Sequence, residues 1–457
     1  MDDPGTLRLS EIIASLSYAL DIADGNALGH SIRSCLIGMR LADEIGLEVE
    51  GRSSLFYGLL LKDAGCSSNA ARVTALYRGD DLELKRRVKL VNHNRVPEAL
   101  RYIWDNVGAT SFRDRTSLAF RAARLGPRTA RENTEIRCER GAEIALMLDL
   151  PLEVANAIRS LDEHWDGSGQ PRGLRGEAIP LLGRILGLAQ VVEVFNSAHG
   201  LTAAVDMAHG RDRRWFDPTL VKALDRIRDD AAFWRSLLTT DLATYVAYLE
   251  PPDLSLAADD SRLDRVAEAF ALVIDAKSPY TFRHSERVAE IAVVVAEELG
   301  HEPTALRNLR RAGLLHDIGK LGISNLILDK EGPLEPAERA TVNRHPALTE
   351  EILARVPAFK DIAGVAASHH EKLDGSGYHR GLKAADLSPA ARILVVADIY
   401  EALTAERPYR SSLEPSEALA LLRGEAGTKV CGNAFTALEA VVNQISSPRL
   451  PAEKNAA

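Results

Sequence analysis

The sequence predicts an all-α protein made of two related helical domains in tandem. Three observations carry that expectation. Period-2 alternation is nearly absent while Ala, Leu, Glu and Arg dominate; apolar residues recur at helical spacing; and one set of motifs occurs twice in the same order. The spacing is clearest at Val288, Ile291, Ala292 and Val295, and again at Ile362, Val365, Ala366 and His369, which follow i, i+3, i+4, i+7. The second set puts a histidine on the inward stripe of a helix.

The repeat can be followed segment by segment. HSIRSCLIGMRLADEIGL at 30–47 echoes HSERVAEIAVVVAEEL at 284–299, and LLLKDAG at 59–65 echoes LLHDIG at 314–319. WDGSGQPRGL at 165–174 echoes LDGSGYHRGL at 373–382, and GRILGLAQVVEVF at 183–195 echoes ARILVVADIYEAL at 391–403. The intervals agree: His30 to Asp63 and His284 to Asp317 are both 33 residues, and Asp166 to Gln190 and Asp374 to Asp398 are both 24. One differs. Asp63 to Cys138 is 75 residues and Asp317 to His345 is 28, so the first copy carries 75 − 28 = 47 extra residues near 67–137. That segment is rich in Arg and is expected to form a solvated helical pair, with a docking or regulatory surface as the alternative. The expected division is a degenerate regulatory or dimerisation domain at 1–250, a Pro- and Asp-rich linker at 251–260, a second domain at 261–445 and a loose tail at 446–457.

Composition narrows the function. The net charge of −9 argues against binding to a nucleic-acid polymer, which needs a basic surface, but allows a small nucleotide in a locally positive pocket. The four cysteines form no CxxC pair, which fits a reducing cytoplasm. MDDPGTLRLSEII has no basic region followed by an apolar run, so no signal peptide is expected, and no run reaches 18 apolar residues, so no membrane span is expected.

The second copy collects ligand-type side chains at punctuated positions. His284 opens a helix, His316–Asp317 closes another before Gly319, His345 precedes Pro346, His369–His370 ends the next, and Asp398 lies in an apolar helix. Neutral imidazoles and carboxylates suit first-row divalent metals. Seven such groups are too many for one ion. They suit two ions, ~3.5–4 Å apart, with Asp317 at the centre of the pattern supplying a bridge. Two cations sharing a water would give a hydroxide at neutral pH, a nucleophile aimed at phosphorus.

HDIGKLGI at 316–323, preceded by His284, resembles the HD superfamily of metal-dependent phosphohydrolases. HHEKLDGSGYHRGL at 369–382 and ARILVVADIYEALTAERPYR at 391–410 narrow the resemblance to the HD-GYP family, bacterial signalling enzymes that hydrolyse cyclic di-GMP. The resemblance implies in-line attack by a metal-bridging hydroxide. It implies one metal on His284, His316, Asp317 and Asp398, and a second on Asp317, His345, His369 and His370, with iron or manganese as the pair. It further implies that Lys320 contacts the scissile phosphate, that Gly377 and Tyr378 border the substrate and that Arg407 and Arg410 grip the other phosphate. The implied partners are a cyclic dinucleotide, a second copy of the chain and signalling proteins. Two positions depart from the family pattern: His379 stands where the signature proline follows Gly-Tyr, which leaves another or a mixed cyclic dinucleotide open, and Tyr280 stands where a Glu recruits a third metal in some members. A metal-binding regulator with little turnover is the reading from a different class.

In the first copy the same positions read His30, Lys62–Asp63, Cys138, Leu161–Asp162 and Gln190, and Cys66 stands for the lysine. Two of the seven ligand types remain, and a Lys ammonium repels a cation. No two-metal centre is expected there.

Overall fold

The computed structural model describes residues 7–92, 95–109, 111–238, 246, 249–250, 256–406 and 411–445. Among them every regular element is a helix, and strand-like pairing is confined to isolated bridges such as Arg8 with Ala257. The chain forms two compact units. One holds Met1–Pro279 with Lys320–Asp329 and Ile352–Lys360; the other holds Tyr280–Gly319, Lys330–Glu351 and Asp361–Ala457.

In the first unit, α1 (His30–Ile45) packs on α2 (Val49–Leu61), and the 47-residue excess appears as several helices rather than one pair. It includes Ala70–Tyr77, α3 (Asp81–Val88), Val96–Asn106 and the start of the 36-residue α4 (Phe112–Met147). Next come α5 (Leu181–His199) and α6 (Asp260–Asp275). By length and composition α5 could cross a membrane, but half of it is buried inside this unit, where it packs on α1. Ile185, Leu186, Leu188, Ala189 and Val192 are fully buried, and at ~1.5–3 kcal/mol for each large apolar side chain they make α5 the core helix. Composition put the domain boundary at 251–260, of which 251–255 lie outside the described residues; by contacts α6 belongs with the first unit. Its face of Val266, Phe270 and Val273 is buried there, and the Ser67 hydroxyl donates to the Val273 carbonyl at 2.6 Å. The tail at 446–457 also lies outside the described residues.

The second unit is built around α7 (His284–Glu298), which packs on α8 (Pro303–Leu315). Val288, Ile291, Ala292 and Val295 fill the inward face of α7 at the predicted spacing. Gly313 allows the approach of α8, because a Cβ there would lie 2.8 Å from the Cα of Ala289. Then follow α9 (His345–Ala354), α10 (Pro389–Thr404) and α11 (Gly432–Val441), and α7 packs on both α10 and α11. Ser388 caps α10 by accepting from the Ala391 N–H at 3.2 Å, with Pro389 in the first turn. The pairing α1–α2 and α1–α5 in the first unit matches α7–α8 and α7–α10 in the second, so the sequence repeat is a structural repeat.

One expected helix is shorter than its pattern. Lys360–Ala366 is helical, but His369 and His370 lie in the turn beyond it. The Ser368 N–H bonds the Val365 carbonyl at 3.1 Å, and His369 Nδ1 takes the Ala366 carbonyl at 2.7 Å. Apolar period reports the buried face and cannot see where the ladder stops.

Candidate metal centre

Three of the histidines share one local device. The last carbonyls of a helix have no intrahelical donor. His316 Nδ1 donates to Gly313 O, His345 Nδ1 to Val342 O and His369 Nδ1 to Ala366 O, each at 2.7 Å and each three residues back at a helix end. The hydrogen bond puts the proton of a neutral ring on Nδ1 and leaves the Nε2 lone pair facing the other way. His284, at the start of α7, reaches the same state by donating Nδ1–H to the Glu401 carboxylate in a short bond.

The four Nε2 atoms converge on Asp317, which is buried. Its Oδ2 lies 3.4 Å from both His284 and His316, and its Oδ1 lies 3.3 Å from His345 and 3.5 Å from His369. Asp398 adds an oxygen 3.5 Å from His284 Nε2 and 3.8 Å from His316 Nε2, and its other oxygen lies 3.7 Å from His370 Nδ1. Among the described residues, donor atoms close enough to share an ion fall into the groups His284, His316, Asp398; His345, His369, His370; and His316, Asp317, His369, which joins the first two, with a further group, Asp24, Asp63 and Cys66, in the first unit. Burial alone would raise the Asp398 carboxyl, but His370, His316, His369 and His284 around it hold it well below the usual carboxylate range.

These donors fit divalent cations on the structure's own terms. His345 Nε2 and His369 Nε2 face each other at 2.9 Å, so with each ring neutral and its proton on Nδ1 both lone pairs would aim at one position. The buried His316 Nε2 makes no hydrogen bond. A buried imidazole lone pair without a donor is costly in a protein interior and favourable against a cation.

The DGSG loop closes one side. Tyr378 packs against His370 with ring centroids 4.8 Å apart and planes tilted by 39°, and burial, then the charges of Asp398 and Asp317, push its hydroxyl pKa up. Gly375 has φ +80, whereas Gly377 is required by space, since a Cβ would sit 2.4 Å from the Glu371 Cα. His379 and Arg380 both hold the Glu350 carboxylate, at 3.2 and 3.0 Å. Lys320 belongs to the first compact unit, in the turn Ile318–Gly322. Arg407 and Arg410 lie outside the described residues.

With this geometry in hand, comparison with known proteins is informative. The HD-domain family model matches residues 118–220 and 268–432. A 3'3'-cGAMP-specific phosphodiesterase 3 of Vibrio cholerae serotype O1 is 43% identical over 439 residues, 96% of this chain and 95% of that protein. The chain belongs to the HD-domain family. Its motifs and this relative place it in the HD-GYP branch, an enzyme family whose phosphohydrolases depend on metal. The crystal structure of a cyclic GMP-AMP-specific phosphodiesterase of V. cholerae matches with a TM-score of 0.65 and 38% identity, covering 97% of this chain and 99% of that one. A cyclic di-GMP phosphodiesterase of Thermotoga maritima is 34% identical over 188 residues, 40% of this chain and 51% of that protein.

Sequence reading missed three buried residues of this HD unit. Glu401 orients His284 as described, Glu371 accepts from the Arg380 and Leu382 N–H groups at 2.8 Å each, and Thr349 donates to the His316 carbonyl at 2.8 Å while accepting from Gly319 N–H at 3.1 Å. Two of them left a signal in the repeat: Glu401 sits three residues after Asp398, as Glu193 sits three after Gln190, and Glu371 sits three before Asp374, as Glu163 sits three before Asp166. Glu401→Gln keeps the volume but removes the carboxylate charge that faces the His284 imidazole. It is expected to lower metal affinity or turnover about 10–100-fold, measured by metal titration and steady-state rates; unchanged values for both would remove Glu401 from the centre.

The degenerate HD unit carries its cations in the chain. His30 Nδ1 meets Glu193 as His284 meets Glu401. Where the second unit has imidazole, Lys62 pairs closely with Asp63, and Lys89 bonds Asp24 and lies 4.0 Å from Asp63. Burial would raise the Asp63 carboxyl, but Lys62, Lys89 and His30 force it well below its ordinary range. Asp162, in the His-pair position, is held by Arg137 and by the Cys138 thiol at 3.7 Å. Removing one partner of a buried pair is destabilising, so Lys62→Met is expected to cost ~3 kcal/mol, the low end because Lys89 remains. Turnover per folded molecule should stay at the wild-type level; thermal unfolding and kcat on the same sample check both halves.

Proposed function

We propose that the chain is a cytoplasmic cyclic-dinucleotide phosphodiesterase whose preferred substrate is 3'3'-cGAMP. The observation that carries the hydrolytic reading is the Asp317 carboxylate set between two groups of imidazoles, one at each oxygen. The substrate follows from the relative that aligns along both units and bears that specificity in its name. The signature motifs pointed to cyclic di-GMP, and the relative named for that substrate aligns over only 40% of this chain. Preference therefore moves to the mixed dinucleotide, with cyclic di-GMP as the second reading.

The nitrogen-rich donor set with two carboxylates favours iron or manganese, two ions in all. Bound there, they would supply a hydroxide at neutral pH and offset charge on the phosphoryl oxygens. The chain's own residues do the rest. The carbonyl-bonded Nδ1 atoms fix three of the imidazoles, and Glu401 fixes the fourth, before substrate arrives, so little reorganisation remains for the reaction itself. Lys320, three residues after Asp317, is assigned to a phosphoryl oxygen. Tyr378 offers its ring edge and hydroxyl to the ligand beside His370. Arg407 and Arg410 are assigned to the second phosphate, where a guanidinium fork binds in bidentate fashion.

The test is steady-state hydrolysis by full-length protein loaded with Fe or Mn. The expected result is a kcat/KM for 3'3'-cGAMP at least ~10-fold above that for cyclic di-GMP, about 1.4 kcal/mol of discrimination. The reverse ranking returns the assignment to cyclic di-GMP. Absence of turnover with either, despite bound metal, leaves a metal-binding regulator.

A further inference from the structure

The first compact unit contains a buried polar node built on Asp81, a residue of the segment that the second copy lacks. Asp81 is fully buried at the first position of α3. One carboxylate oxygen accepts from Lys277 Nζ at 2.9 Å, with Lys85 Nζ 3.6 Å away. The other accepts from the Asn325 N–H at 2.8 Å and from the Ser324 hydroxyl at 3.3 Å. Asn325 spends both side-chain donors inside the same node, on the Lys277 carbonyl at 2.7 Å and on Asp329 at 2.6 Å, and Ser278 donates to Asp329 at 2.5 Å. Asp81, Lys277 and Asn325 are all buried, so the bonds that Asp81 accepts and the Asn325–Lys277 bond form where water does not compete, whereas those to Asp329 are partly exposed.

What the node grips is informative. Lys277 and Ser278 are seven and six residues before His284, and 324–329 directly follows the turn that bears Lys320. The segment Lys320–Asp329 is counted in the first unit, although Asp317 to Gly319, next to it in the chain, are in the second. A buried ion pair is weak evidence of a purely stabilising role, because apolar side chains of similar volume often stabilise as well. A carboxylate that ties three chain segments at defined distances fixes position instead.

We propose that Asp81 is a positioning residue for the reaction. It sets the 320–329 segment, and with it Lys320, through one buried carboxylate. This rests on the assignment of Lys320 to the phosphate.

The experiment uses full-length protein and 3'3'-cGAMP or, if that is the better substrate, cyclic di-GMP. Asp81→Ala alone strands the Lys277 ammonium and can fail to fold, so it is paired with Lys277→Met, which removes the stranded charge. The Asp81→Ala/Lys277→Met protein should lose on the order of 10- to 100-fold in kcat, with KM within about two-fold and metal content unchanged. Asp81→Asn/Lys277→Met, which keeps an acceptor for the Asn325 N–H, should recover most of that loss. In a Lys320→Ala background the same pair of changes should cost nothing further, because Asp81 acts through Lys320. Wild-type kcat in Asp81→Ala/Lys277→Met, or an undiminished loss in the Lys320→Ala background, overturns the proposal. Lys320→Ala with wild-type kcat overturns the phosphate assignment first, and is seen before Asp81 is changed.

Discussion

Asp317→Asn is expected to lower kcat by at least about 10³-fold, since a group that organises a whole constellation costs about as much as losing all of it. The substitution is nearly isosteric. It replaces one anionic oxygen with an NH₂ group, and whichever way the amide turns, a donor faces either His284 and His316 or His345 and His369. One group of donors then presents hydrogens to the position a cation would take. Metal content should fall together with rate, and the fold should persist because the cavity keeps its shape. A Asp317→Asn protein with near-normal rate and metal would remove Asp317 from its central place.

Gly319→Ala is expected to be nearly as damaging, for a reason that involves no ligand. A Cβ on Gly319 would lie 2.0 Å from the His345 carbonyl oxygen and 2.9 Å from the Thr349 nitrogen. Both are backbone atoms at the start of α9, so neither can swing aside. Relief requires α9 to retreat, breaking the Gly319–Thr349 bond at 3.1 Å and drawing His345 from Asp317 and His369. Overpacking of this kind costs ~1–3 kcal/mol, and a displacement near 1 Å at a reacting centre costs on the order of 10²-fold in rate. Gly364→Ala is the control. A Cβ there meets nothing within 4 Å, and in the helix Lys360–Ala366 alanine gains up to about 1 kcal/mol. Steady-state rates and thermal unfolding on both variants decide the matter; equal behaviour of the two would show that the Gly319 approach is dispensable.

Much of the candidate centre was legible in the sequence because its donor side chains sit at punctuation. His284 follows a turn, His316–Asp317 precedes Gly319, and His345 precedes Pro346, so helix ends and ligand positions coincide. The physical reason is the donation of Nδ1 to orphan carbonyls at helix ends. The fold class followed from period, and the duplication from equal spacings. Other features were not legible. Thr349 acts through backbone groups brought near by folding, and no periodicity encodes such a meeting. Asp81, in a run of charged residues, reads as part of a solvated face, yet it is buried by segments some two hundred residues away. The compact units also take in 320–329 and 352–360, segments that a linear reading assigns to the second domain.

The central claim is that two divalent cations sit on either side of the Asp317 carboxylate. Anomalous diffraction from crystals of the Fe- or Mn-loaded protein, recorded at the metal edge, tests it most directly. The account predicts two peaks, one among His284, His316 and Asp398 and one among His345, His369 and His370, with Asp317 touching both. A peak at Asp24, Asp63 and Cys66 instead, or none beside Asp317, would contradict it.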